Sequence, residues 1–141
     1  MILGKIPNMK LLILTASYFG RVEGRKYFQK AIYILQEHFK VGFNYSYIPY
    51  LYGPYSSQLQ NDIDILARTG YLKASKTGPL FFYEITPLGK KVATQVETEY
   101  GKQQCVALKK HVDGLKESET EELVTWSKQL MKERVKDNLY W

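Results

Sequence analysis

Apolar positions fall into helical stripes at both ends of the chain and into a two-residue alternation in the middle. Asn8 stands where a cap belongs, ahead of Leu11, Leu12, Leu14, Ala16 and Tyr18, and Gly20 ends that first helix. Arg21 to Arg25 reads as a polar connection. Phe28, Ala31, Ile32, Leu35 and Phe39 recur at three- and four-residue spacing, which predicts a second helix over about 25–40 with one apolar face. Phe43, Tyr45 and Tyr47 then alternate with Asn44, Ser46 and Ile48, the period of a short strand, and Pro49 confines it to an edge or an end. Gly53-Pro54 marks a turn.

A third helix opens at Ser56 or Ser57. Ser57 with Gln60 has the spacing of a capping box, and Leu59, Ile63 and Leu66 give the buried face. Gly70 supplies the left-handed stop. Tyr71–Ser75 and Leu80–Ile85 pair as a hairpin whose tip is Lys76 to Pro79. Thr86 caps the next helix with Pro87 at its first position, and Leu88, Val92 and Val96 form its face. Gly101 breaks it. Val106, Leu108, Val112 and Leu115 continue at helical spacing. Ser118 begins a last helix with Glu119, Glu121 and Glu122 early and Lys132, Arg134 and Lys136 late, as the helix dipole favours. Leu123, Val124, Leu130, Met131 and Val135 form its stripe.

These elements predict an α+β, mostly helical chain: a winged helix-turn-helix domain over 1–100 with a short β-hairpin wing, and a helical extension over 101–141. The stripes of that extension either make a homodimer interface or fold back onto their own domain. Gly70-Tyr71-Leu72 followed by Tyr83-Glu84-Ile85-Thr86-Pro87-Leu88-Gly89-Lys90 resembles the wing and following helix of MarR-like and PadR-like regulators. The run Gly24 to Lys30, with Tyr52-Gly53-Pro54-Tyr55-Ser56 and Leu59, Asp62, Leu66 and Gly70, is similar to the YwgA-like proteins of bacteria and archaea. That resemblance implies a winged helix over roughly 8–95 and leaves the activity open.

Charge gives the fold a direction. The chain of 141 residues carries a formal net charge of +6. Residues 1–100 hold 12 Lys+Arg against 7 Asp+Glu, so the surplus sits on the winged-helix part and favours a polyanion. The expected function is duplex DNA binding by a transcriptional regulator, with helix 56–69 in the major groove and wing 71–86 beside it. Ser56, Ser57, Gln58, Gln60 and Asn61 are the candidates on that helix, because Gln and Asn suit adenine and Ser suits bases or phosphates. Lys73 and Lys76 on the wing, and Arg21, Arg25, Lys26 and Lys30 at the second helix, are the candidate phosphate contacts. Asp62 and Asp64 against Arg68 alone leave the third helix acidic, which favours the alternative: a winged helix used as a protein-interaction module, a scaffold or an antitoxin-like partner, without DNA binding.

Other chemistry is thin. Cys105 stands alone, closes no internal disulfide and is expected to be buried. His38 and His111 lack ligand spacing, no glycine-rich phosphate loop occurs, and Asp62 and Asp64 point to different sides of a helix. We therefore expect no enzyme, metal or cofactor. No apolar run approaches the roughly 20 residues that span a bilayer, and no signal peptide is read, which points to the cytoplasm.

Overall fold

The computed structural model describes residues 6–138, with side chains as far as Arg134. Among the described residues, six helices and five short strands make an α+β, mostly helical fold. They run α1 (Asn8–Phe19), β1 (Arg21–Glu23), α2 (Arg25–Glu37), β2 (Ile48–Tyr50), β3 (Gly53–Tyr55), α3 (Ser57–Arg68), β4 (Leu72–Thr77), β5 (Leu80–Ile85), α4 (Pro87–Tyr100), α5 (Lys102–Lys116) and α6 (Thr120–Asn138).

The central helix is α1. Leu11 to Ala16 are all buried, so this helix has no solvent stripe over that stretch and packs against α4 and α5. Its one buried hydroxyl, Thr15, donates to the Leu11 carbonyl at 2.7 Å, which satisfies it without a partner elsewhere. Gly20 takes φ 74 and ends the helix. Asn8 does not cap it; Pro7 holds the N-cap position, and the Asn8 side chain accepts from the Asn44 N–H at 3.0 Å.

The polar connection after Gly20 is a strand. In β1 only Val22 is buried, and its three residues pair antiparallel with β5, Val22 opposite Tyr83. The sheet order is β1-β5-β4, so the hairpin gains a third strand along β5. Helix α2 stops at Glu37 rather than near residue 40, and Lys40 takes φ 59 as the chain turns back.

Residues 43–47 alternate in burial yet form no ladder. Phe43 and Tyr45 are buried while Asn44 and Ser46 are exposed. Side chains take the backbone groups instead: Gln36 brackets Tyr45, accepting its N–H and donating to its carbonyl, each at 3.0 Å. The Ser46 N–H donates to Gln58 Oε1 at 3.0 Å. The period-two pattern reported burial, and the pairing went to β2 and β3, which are joined by Leu51-Tyr52. Gly53, at φ 102, opens β3 rather than sitting at the turn.

Helix α3 is capped by Ser56, whose hydroxyl accepts the Leu59 N–H at 3.1 Å. The Ser57–Gln60 capping box does not form; the Gln60 amide donates to Asp64 at 3.1 Å. Gly70 takes φ 88, as expected of the stop. The hairpin is as read, with β4 running two residues further and Gly78-Pro79 as the tip. Thr86 accepts the Gly89 N–H at 3.0 Å and donates to the Gly70 carbonyl at 2.6 Å, tying the end of α3 to the start of α4.

The last two helices fold back. Helix α5 buries Cys105, Leu108, Val112 and Leu115 and packs on α1 and α4, while α6 buries Leu123, Val124 and Met131 and packs on α2 and β3. Leu108, Val112, Leu115 and Leu123 join the same apolar cluster as α1. Val106 is off this face, 63% exposed, because Cys105 holds the inward position. Helix α6 starts at Thr120, where Glu122 accepts the Glu119 N–H at 2.9 Å. Val135 and Lys136 lie outside the described side chains. Among the described residues no helix is long and apolar enough to cross a membrane.

Candidate nucleic-acid interface

The strand register sorts the cations of the β4–β5 hairpin. Residues alternate faces along a strand, so Lys73 and Lys76, three apart, lie on opposite faces. Lys76 is paired with Phe81, on the face that carries Tyr83 and Leu72 toward the core. Lys73 is paired with Glu84, which also faces Arg21 across β1, on the outer side. Arg21 meets Glu84 at 4.0 Å and Glu23 at 3.7 Å, so that side is a mixed-charge surface.

On the inner side, Phe81 gathers positive charge. The Arg25 guanidinium lies 3.7 Å from its ring centroid and the Lys76 ammonium 5.3 Å, both within cation–π range. Arg25 Nε also donates to the Tyr83 hydroxyl at 3.3 Å. Arg25 opens α2, and one turn later Gln29 grips the α3 cap: its amide donates to the Ser56 carbonyl and accepts the Ser56 N–H, each at 2.9 Å. The inner face of the β4–β5 hairpin, the start of α2 and the start of α3 are thus linked through five side chains, Phe81, Lys76, Tyr83, Arg25 and Gln29.

Two predicted contacts are inside the protein. Ser56 is 1% exposed and its hydroxyl is spent on the cap. Lys30 is 3% exposed and donates to the Pro54 carbonyl at 2.8 Å, so it supports the β2–β3 hairpin rather than a phosphate. Burial, with Lys26 and Lys128 nearby, pushes its ammonium down to about 8. Lys26 is half-buried over the Tyr52 ring at 4.0 Å, with Glu121 at 3.8 Å. Gln58 is exposed but holds Ser46.

Ser57 and Asn61 remain on the open side of α3, and Arg68 continues that stripe at helical spacing. Gln60, half-buried, sits beside it with its amide on Asp64. Asp62 faces the other way and accepts the Tyr45 hydroxyl at 2.7 Å. Burial and then that bond raise the Tyr45 phenol far above its usual range, so it stays a donor. The residues that sequence reasoning missed are Phe81 and Tyr52, the rings under the cations, and Arg68. Nothing in the sequence marks Phe81 over Phe82; the register does.

His38 and His111 meet in an aromatic cluster, His111 stacked on Phe39 at 4.0 Å and His38 against Trp126 at 5.1 Å. Burial, and after it Lys110 and His38, holds the His111 imidazolium below its usual range. Among the described residues no three His, Cys, Asp or Glu side chains gather as a metal-ligand set. No family model, curated protein or solved structure matches this chain.

Proposed function

We propose that this chain is a winged-helix protein that binds duplex DNA, acting as a transcriptional regulator. The element order α1-β1-α2-α3-β4-β5 with sheet order β1-β5-β4 supports the winged-helix reading: the hairpin that follows α3 is the wing, and β1 anchors its second strand. The observation that carries the DNA reading is the pairing of Arg25 and Lys76 over Phe81, next to the helix that bears the α3 clamp. In this arrangement α3 enters the major groove with Ser57 and Asn61 foremost, and Arg25, Lys26 and Lys76 meet phosphates along one side.

The chain departs from a simple helix-turn-helix in one respect. Residues 38–56 separate α2 from α3, where such motifs have a turn of about 3–4 residues. The second reading, a protein-interaction module without DNA binding, is favoured by the charge of α3: Asp62 and Asp64 against Arg68, with no cation in its first two turns. Of the C-terminal stripes, Leu108, Val112, Leu115 and Leu123 are taken up by the chain's own core while Val106 stays exposed, so a homodimer through these helices would rest on Val106 and the surface around it.

Fluorescence anisotropy with a labelled random duplex at low and moderate salt decides between them. Micromolar or tighter binding that weakens steeply with salt is expected, because phosphate contacts release counterions. Absence of binding at low salt would leave the interaction module.

A further inference from the structure

Residues 48–52 expose Ile48 (59%), Tyr50 (59%), Leu51 (76%) and Tyr52 (52%), a density of bare apolar side chains found nowhere else among the described residues. They belong to a seated element. Strand β3 packs on α6 and α2, Lys30 holds the Pro54 carbonyl, and a side-chain carbon at Gly53 would lie 3.2 Å from Lys128 Cγ and 3.3 Å from Ser127 Oγ. Between hairpin and α6 lies a groove of about 420 Å³, walled by Pro49, Tyr50, Leu51 and Met131 and rimmed by Lys128 and Lys132.

We propose that this groove docks an acidic amphipathic helix of a partner protein. Strand addition is disfavoured: Pro49 stands opposite Pro54, and two residues without N–H groups must form a non-hydrogen-bonded pair. The free edge of β2 then turns out only the Pro49 carbonyl and no donor. Recognition therefore runs through side chains, as when a helix seats anchors at three- and four-residue spacing in a groove.

Charge selects the partner. Lys128 and Lys132 line the groove, Lys26 lies over Tyr52, and Lys30 is buried beneath. Among the described side chains the nearby carboxylates are Glu121, which meets Lys26, and Glu133, which bonds Gln129 on the neighbouring stripe of α6. A second copy of this chain would bring lysine against lysine. A nucleic acid would match the charge, but the rings bases would stack on are already engaged, Tyr52 under Lys26 and Tyr50 against Tyr55, and Ile48 and Leu51 offer none. Glutamates flanking leucine or phenylalanine anchors satisfy both the floor and the rim.

The test is selection on the full chain from a displayed library of short helical peptides. One face is fixed as Leu, Ile or Phe, and the other positions sample Glu, Lys, Ser and Ala. Glu-rich sequences are expected to win, and their affinity is expected to fall about tenfold or more with Leu51→Ser and with Lys128→Glu/Lys132→Glu. Leu88→Ser, exposed elsewhere, is expected to change nothing. Enrichment of Lys, no enrichment, or winners indifferent to Leu51→Ser would overturn the proposal. So would a mixed-sequence single-stranded oligonucleotide that binds and is lost with Leu51→Ser, or a self-association that the same variant abolishes. Thermal melting checks that each variant folds, and Tyr50→Ser replaces any that does not. Duplex binding by the Leu51→Ser protein is measured in parallel and is expected to persist, so failure here is separable from failure of the DNA reading.

Discussion

Lys30 places an ammonium where water does not reach, and the cost appears in its acidity. Burial, with two lysines nearby, pushes it down to about 8, while an unfolded lysine titrates near 10.4. Between those values the unfolded chain holds a proton that the folded chain has released, so this group's contribution to stability rises with pH across that window. Buried tyrosines such as Tyr45 act oppositely above about 10, but they are common to wild type and variant. Thermal unfolding of wild type against Lys30→Met, followed by circular dichroism, should shift in favour of wild type as pH rises from about 8 to about 10. A difference that stays flat would mean that the ammonium is hydrated. Ser56 offers a second check at this scale. Its hydroxyl caps α3 from a buried position, so Ser56→Ala should cost about 1–2 kcal/mol in urea unfolding. Ser57→Ala should stay within about 0.5 kcal/mol, because the Ser57 side chain is exposed and makes no cap.

Among the elements, the β4–β5 hairpin, the proposed wing, shows what a sequence conceals and what it offers. Lys76→Glu should weaken duplex binding and lower the salt slope by about 0.9 for the lost phosphate contact, whereas Lys73→Glu should do little, since Lys73 already faces Glu84 on the outer side. Anisotropy across a salt series separates the two. The opposite placement follows from counting residues along a strand and was legible before any coordinates. The convergence of Arg25 and Lys76 on Phe81 was not, because it depends on how α2 docks against the sheet. Glycine stops and the Thr86-Pro87 start were reliable local signals, with Gly20, Gly70 and Gly101 ending helices, whereas the polar caps read at Asn8 and Ser57–Gln60 were not. Signals whose meaning is tertiary were not reliable either. Three residues are too few to declare β1, and the alternation at 43–47 recorded which side chains are buried while side chains of Gln36, Gln58 and Asn8 took the bonds of a ladder. Gly89 belongs to this class as well. It packs so closely under Tyr71 that an added Cβ would collide with the Tyr71 carbonyl oxygen and the Ile85 side chain. Gly89→Ala should therefore cost about 1–3 kcal/mol in urea unfolding by forcing α4 off the hairpin.

At the scale of the whole molecule, the division at residue 100 meets a core that crosses it. Tyr100 and Val96 of α4 lie in one cluster with Cys105, Leu108, Val112 and Leu115 of α5 and Leu123 of α6, and α1 is buried all round only because α5 covers part of it. Removing residues 101–141 would bare that side of α1 and strip α2 and β3 of α6. Each large aliphatic side chain uncovered forfeits about 1.5–3 kcal/mol, and several would be uncovered against a total stability of about 5–15 kcal/mol. The chain 1–100 should therefore show no cooperative thermal transition, although it contains every element of the proposed winged helix. A sharp transition in that fragment would make the last two helices a separable extension. The outcome also bears on mechanism. Helix α6 packs against α2 and β3, β3 runs directly into the Ser56 cap, and the groove for an acidic helix lies between α6 and the β2–β3 hairpin. A partner seated there would press on the element that aims α3, so the two proposed surfaces are joined by packing that only the intact chain contains.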